Sequence, residues 1–201
     1  MDKKIYYNFF HWGPFLYKTK LTDEEVEQIK SLCKKNKKKD YRKNLAGLIK
    51  KEYGISTKKL FPIIFNYLDS YFTALQEHYK IIPGKKITLK KSWVNYMTKF
   101  ESNPLHNHGD DLSFVIYLNV PEKLKKESKD TISSSVKPGE IVFVDKLDTN
   151  NLSINQISFF PEKGDFFIFP ATLNHYVNSF QCEGERVSVS GNIRIKDESY
   201  N

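Results

Sequence analysis

The sequence predicts an α+β, mainly β protein in which N-terminal helices pack against a β-sandwich or barrel. Two observations carry this reading. Apolar residues recur at three-to-four spacing up to about residue 79, and from Ile87 onward the period changes to two, in short segments separated by turn residues. Size is consistent with it: 201 residues, 39% of them hydrophobic and 14% aromatic, can bury about 70% of the unfolded surface with no disulfide or zinc staple. We expect one domain over 1–201, with 1–85 mostly helical and 86–201 forming the β core.

The elements follow in order. Thr22 and Glu25 form a capping box, acids fill the next turn, and lysines gather at the far end, which predicts a helix over Thr22–Lys37. A second helix is expected over Tyr41–Lys51, stopping at Gly54. A third runs from Ser56 to about Tyr79, where Leu60, Ile63, Ile64, Tyr67, Leu68, Tyr71 and Leu75 form one stripe and Pro62 falls in the tolerant early turns. Pro83-Gly84 ends this region. Strands are expected over 87–100, 112–120, 140–145, 155–160, 165–169, 175–180 and 185–195. Pro121–Pro138 reads as a surface loop and Asp148–Asn151 as a turn. Helices followed by a run of strands is the α+β pattern.

Charge and composition exclude some functions. The net charge of +8 is concentrated in residues 1–100, which hold 22 basic and 9 acidic residues; 101–201 holds 10 and 15. Its centre, Lys34–Lys51, reads as a solvated surface and matches no RRM, KH or zinc-finger pattern, so nucleic acid is not the expected partner. No apolar run reaches the roughly 20 residues needed to cross a bilayer, and Ile5–Phe10 is too short and aromatic for a signal core. Two distant cysteines, Cys33 and Cys182, suit a reducing compartment. A cytoplasmic protein is expected, in the host cytoplasm if the chain is viral.

The residues that can carry chemistry lie in the β half. In Asn103-Pro-Leu-His-Asn-His-Gly-Asp-Asp111, His106 and His108 are two apart, so an extended segment projects both imidazoles from one face. His175, which follows Gly164-Asp-Phe-Phe-Ile-Phe-Pro170 after a short loop, is the candidate third ligand. Three facial ligands leave positions open on an iron(II) ion. Arg186 and Ser188 share one face of the strand Arg186–Arg194. A guanidinium is a rigid fork for a carboxylate, and a serine two residues on can donate to the same group. Trp93, Asn95 and Phe169 read as core or strand residues that can also line a substrate mouth.

His-x-His, the strand ending Val-Ile-Tyr-Leu-Asn119, Gly-Asp-x-x-Ile-Phe-Pro170, His175 and Arg186-x-Ser188 together resemble the iron(II)/2-oxoglutarate-dependent oxygenases. Among them the likeness is greatest to a prolyl-hydroxylase-like group common in marine phages and bacteria. It spans about Trp93 to Ile195. It implies a double-stranded β-helix, or jelly roll, with iron at its open end, His106 and His175 as first and distal ligands, and Arg186 and Ser188 on the far carboxylate of 2-oxoglutarate. Tyr96, ten residues before His106, stands where such enzymes place a tyrosine on the cosubstrate, and Tyr117 is a second candidate. The usual motif of the superfamily is His-x-Asp, and His108-Gly-Asp110 also fits it. The His106, His108 and His175 set is preferred because it leaves Gly109–Asp111 for the turn before Leu112; His108, Asp110 and His175 is the alternative.

The resemblance implies an oxygenase using iron(II), 2-oxoglutarate and O2, with ascorbate as an accessory reductant, that hydroxylates a C–H of a protein or peptide residue, proline included, or of a small molecule. Two other readings compete. A cupin-like three-histidine dioxygenase would leave Arg186 and Ser188 without a role, and a metal-free β-sandwich binding module would use the Lys34–Lys51 surface.

Overall fold

A computed structural model describes residues 13–35, 40–81, 86–135, 137–146 and 155–196. Ten strands and three α-helices run in the order β1 (Tyr17–Lys20), α1 (Asp23–Lys35), β2 (Glu52–Gly54), α2 (Thr57–Tyr79), β3 (Lys86–Met97), β4 (Asn103–His106), β5 (Leu112–Asn119), α3 (Glu122–Asp130), β6 (Ile141–Val144), β7 (Gln156–Phe159), β8 (Asp165–Pro170), β9 (Asn174–Val177) and β10 (Arg186–Lys196).

The strands form two antiparallel sheets, ordered β1-β8-β5-β10-β3-β2 and β4-β9-β6-β7. The eight strands β3 to β10 are shared four and four between them, with chain neighbours β3, β4 and β5 alternating sheets, as in the expected jelly roll. β1 and β2 lengthen the larger sheet at its two edges.

Period-2 alternation gives that sheet two apolar faces. On the outer face, Val94 of β3, Ile116 and Leu118 of β5, Phe166 and Ile168 of β8, and Val189 of β10 pack on Val26 and Ile29 of α1 and Leu60, Ile64 and Leu68 of α2. On the inner face, Met97, Val115, Tyr117 and Phe167 meet Ile141, Phe143 and Val177 of the smaller sheet. Gly191 lets the layers close: a Cβ there would stand 2.6 Å from both the Lys91 carbonyl and the Phe114 ring.

The capping box is formed: the Thr22 N–H donates to Glu25 Oε2 at 2.9 Å and the Glu25 N–H to Thr22 Oγ1 at 3.3 Å. Three expectations are corrected. Tyr41–Lys51 is not an α-helix; a single 3-10 turn, Arg42–Asn44, leads into extended chain whose backbone bonds go to other segments, Leu48 N–H to the Ser102 carbonyl and Tyr41 N–H to the Glu52 carbonyl. The expected loop Pro121–Pro138 contains α3, because Leu124 is fully buried under the jelly roll. β1 was not expected; it exists through pairing with β8, where Lys20 lies opposite Asp165. Pro83-Gly84, Asp148–Asn151 and Lys37–Lys39 of the basic run lie outside the described residues. Elsewhere in that run Arg42 is paired with Asp40 and Lys51 with Glu185. No helix among the described residues is long and apolar enough to cross a membrane.

Candidate metal centre

The register of the smaller sheet brings the histidines together. β4 pairs with β9 so that His106 lies opposite His175, and the His108 N–H donates to the Ala171 carbonyl at 2.8 Å, which holds the segment after β4 against the β8–β9 turn. Ring centroids are 4.2 Å apart for His106 and His175, 5.0 Å for His106 and His108, and 5.2 Å for His108 and His175. One nitrogen of each ring lies within 4.8 Å of the others, and among the described residues this is the only such cluster of three His, Cys, Asp or Glu side chains.

Local hydrogen bonds select which nitrogens converge. His106 Nδ1 donates to the Pro104 carbonyl at 2.7 Å and His175 Nδ1 to the Leu173 carbonyl at 2.9 Å, which leaves both Nε2 lone pairs free. Fixing the tautomer through the second nitrogen is how metal-bound imidazoles are oriented. Burial disfavours the imidazolium at all three positions. It lowers His106, it brings His108 to about 4 with help from the neighbouring His106, and it brings His175 to about 3. Three neutral imidazoles therefore present lone pairs at neutral pH. Asp110 is not among them: its carboxylate binds the Arg194 guanidinium at 2.9 Å.

Behind the histidines, the inner face of the larger sheet carries polar residues. Tyr117, Ser188, Asn95 and Glu52 stand in one cross-strand row, since Ser188 pairs with both Tyr117 and Asn95, and Asn95 pairs with Glu52. Arg186 is one position along. Its Nη1 donates to the Gly139 carbonyl at 2.9 Å, its guanidinium lies 5.3 Å from the Tyr117 ring centroid, and only 3% of the residue is exposed. Gly139 holds that carbonyl in place with φ of +74°, and a Cβ there would meet Leu124 at 2.9 Å. Asn95, Ser188, Arg186 and the three histidines line one narrow cleft.

Tyr96 does not join them. Trp93, Asn95 and Met97 alternate onto the inner face, so Tyr96 is placed on the outer one, beside Cys33, Leu118 and Val187. Asn95 occupies the cleft position expected of Tyr96. Trp93 lines the cleft, while Phe169 is buried against His175 with centroids 4.9 Å apart.

Five buried side-chain atoms among the described residues have no hydrogen-bond partner: Glu52 Oε2, Asn95 Oδ1, Asn103 Oδ1, Tyr117 Oη and Arg186 Nε. All five belong to this cleft or adjoin it. Native interiors leave few polar groups unpaired, so five at one end of a sandwich mark a place built for something else to bind. Glu52 and Asn103, which carry two of these atoms, were not singled out by the sequence reasoning. Burial, and then the charge of Glu101, push the Glu52 carboxyl up to about 7.

A family model described as "Putative 2OG-Fe(II) oxygenase" matches residues 91–192, which include all three histidines and Arg186. No curated protein matches the chain. Among solved structures, the viral collagen prolyl hydroxylase of Paramecium bursaria Chlorella virus-1, in complex with 2-oxoglutarate, is similar at 15% identity over 89% of this chain and 94% of that one, with a TM-score of 0.55. A Pseudomonas putida prolyl-4-hydroxylase is similar at 13% identity, 90% and 92% coverage and 0.55. HygX from Streptomyces hygroscopicus, bound to nickel, 2-oxoglutarate and hygromycin B, is similar at 13% identity, 94% and 84% coverage and 0.56. These likenesses show a shared jelly-roll fold. With about half its length matched by the family model, the chain belongs to the 2OG-Fe(II) oxygenases, whose cofactor pair is iron(II) and 2-oxoglutarate.

Proposed function

We propose that this oxygenase is a hydroxylase in which His106, His108 and His175 hold the iron, and Arg186, Ser188 and Tyr117 hold the far carboxylate of 2-oxoglutarate. One observation carries the reading: a buried guanidinium with no carboxylate partner among the described residues shares a cleft with three converging, neutral imidazoles. An unpaired buried cation is costly, and a dicarboxylate is the complement that would offset it.

The residues fit the cofactor pair. His106, His108 and His175 would hold iron(II) through three nitrogens and would leave it open to a chelating cosubstrate and O2. Arg186 Nε and the Tyr117 hydroxyl are free donors, and Ser188 is their neighbour in register. When bound, iron(II) and 2-oxoglutarate supply the oxidising chemistry: O2 is split between succinate, formed with loss of CO2, and a substrate C–H that becomes C–OH. The chain orients and insulates this chemistry. Pro104 and Leu173 aim the rings of His106 and His175; Phe143 and Phe169, 6.2 and 4.9 Å from the His175 ring, keep water from that side.

The substrate C–H belongs to a protein or peptide residue or to a small molecule. A three-histidine dioxygenase without 2-oxoglutarate would leave the unpaired Arg186 without a counter-charge. The test is succinate formation from 2-oxoglutarate by iron-loaded protein, in wild type and in His175→Ala. Turnover confined to the wild type supports the reading, and iron-bound wild type that consumes no 2-oxoglutarate overturns it.

A further inference from the structure

A second cavity adjoins the cleft. It encloses about 230 Å³ between residues 44–47, Glu52, Trp93, Asn103 and the segment His106–His108. It shares Trp93, Asn103, His106 and His108 with the cleft, so whatever fills it lies beside the histidines. The N-terminal half of the chain supplies its outer wall, through the extended segment after Arg42–Asn44 and through β2.

Among the described residues, Glu52 supplies the one carboxyl that lines the cavity. Glu52 is 1% exposed, and neither carboxylate oxygen has a described hydrogen-bond partner; Oε2 is fully buried. Asn103 Oδ1, on the same wall, is also buried and unpartnered. Among the described residues no lysine or arginine lines the cavity. The described cation acting on Glu52, Arg42, is exposed and held by Asp40 at 2.6 Å. The neighbouring carboxylate, Glu101, is satisfied separately by the Lys50 and Thr98 N–H groups at 2.9 and 2.7 Å. Gly47 keeps Glu52 approachable, since a Cβ there would stand 2.8 Å from Oε1. A buried carboxylate is stable as an anion only when paired. This cavity, beside the histidines, offers acceptors and a buried carboxyl that a bound cation would hold in its ionised form.

Building on the oxygenase reading, we infer that the cavity is the substrate pocket and that Glu52 binds a cationic nitrogen, an ammonium or guanidinium, on the molecule to be hydroxylated. The carbons attached to that nitrogen then lie along Trp93 toward His106 and His108. A prolyl residue, a tertiary amide with no N–H, has nothing to give Glu52.

The test is calorimetric titration of protein loaded anaerobically with iron(II) and 2-oxoglutarate. The probes are the Nα-acetyl amides of lysine, arginine, norleucine and proline, with wild type, Glu52→Gln and Gly47→Ala. The lysine or arginine amide is expected to bind wild type at least about tenfold more tightly than norleucine amide, the scale of a charged hydrogen bond. Both variants should lose that preference while still forming the iron and 2-oxoglutarate chelate, which shows that they fold. Equal binding of norleucine or proline amide, a preference surviving in Glu52→Gln, or no binding by any probe would overturn the inference. Failure of the wild type to form the chelate would instead overturn the oxygenase reading, so the two failures are distinguishable.

Discussion

Replacing Arg186 by methionine tests the cosubstrate site through stability and binding together. In the ligand-free protein the guanidinium is 3% exposed, has one hydrogen bond, to Gly139, and has no carboxylate partner among the described residues. Removing it loses a charged hydrogen bond of about 1.5–3 kcal/mol. It also relieves the desolvation of a buried cation, several kcal/mol after relaxation. The net expectation is a metal-free variant more stable than wild type by about 1–2 kcal/mol, or roughly 2–8 °C in Tm for a chain of this size. With 2-oxoglutarate the order reverses. A bidentate guanidinium–carboxylate contact worth about 3–5 kcal/mol corresponds to a loss of roughly 10² to 10³ or more in affinity. At a concentration near 100 Kd for wild type, ligand adds about 2.7 kcal/mol to its stability and almost nothing to the variant. Thermal melts of the metal-free proteins read the first effect, and anaerobic melts with iron(II), with and without 2-oxoglutarate, read the second. An equal upward shift in Arg186→Met would refute the assignment, and a metal-free variant several kcal/mol less stable would refute the uncompensated charge.

Further consequences follow from particular residues. The Glu52 carboxyl is raised from 4.5 to about 7, so the fold favours its neutral form; that stabilisation is present below pH 4.5 and lost as pH rises through 7. Metal-free Glu52→Gln should therefore exceed wild type by about 3 kcal/mol at pH 8 and by little at pH 4, read by urea melts, and a pH-independent difference would contradict this. Gly139→Ala must adopt φ of +74° and press on Leu124, so we expect a loss of about 1–3 kcal/mol and weaker 2-oxoglutarate binding, because the carbonyl that holds Arg186 moves. Thr22→Ala removes the cap of α1, a loss of about 1 kcal/mol in a chemical melt with 2-oxoglutarate binding unchanged.

The parts of this protein that were legible in the sequence are those set by local periodicity. The stripe on α2 and the alternation of β5, β8 and β10 reflect burial on one or both faces of an element, which a single segment records in its own residues. The His-x-His pair was legible for the same reason, because two imidazoles two residues apart in extended chain share a face whatever lies opposite. Tyr96 failed on that rule: ten residues from His106 is a spacing, but the face it points to is set by β3 alternation, which gives the cleft to Asn95. Glu52 was not legible. Its three-residue strand has no period to read, and its place in the row with Asn95, Ser188 and Tyr117 exists only through pairing across the sheet. The lysines around Tyr41–Lys51 have good helix propensity, yet tertiary hydrogen bonds to Ser102 and Glu52 take that segment's backbone elsewhere.

The central claim is that three histidines and one arginine hold iron(II) and 2-oxoglutarate in a single cleft, and anaerobic titration of the purified protein with both, followed through the weak visible charge-transfer band of the chelate, tests it most directly. A saturable band in the wild type that is absent in His175→Ala, with Arg186→Met needing at least about a hundredfold more 2-oxoglutarate to reach it, is the expected result. A band that survives in His175→Ala, or bound iron in the wild type that gives none, would contradict the claim.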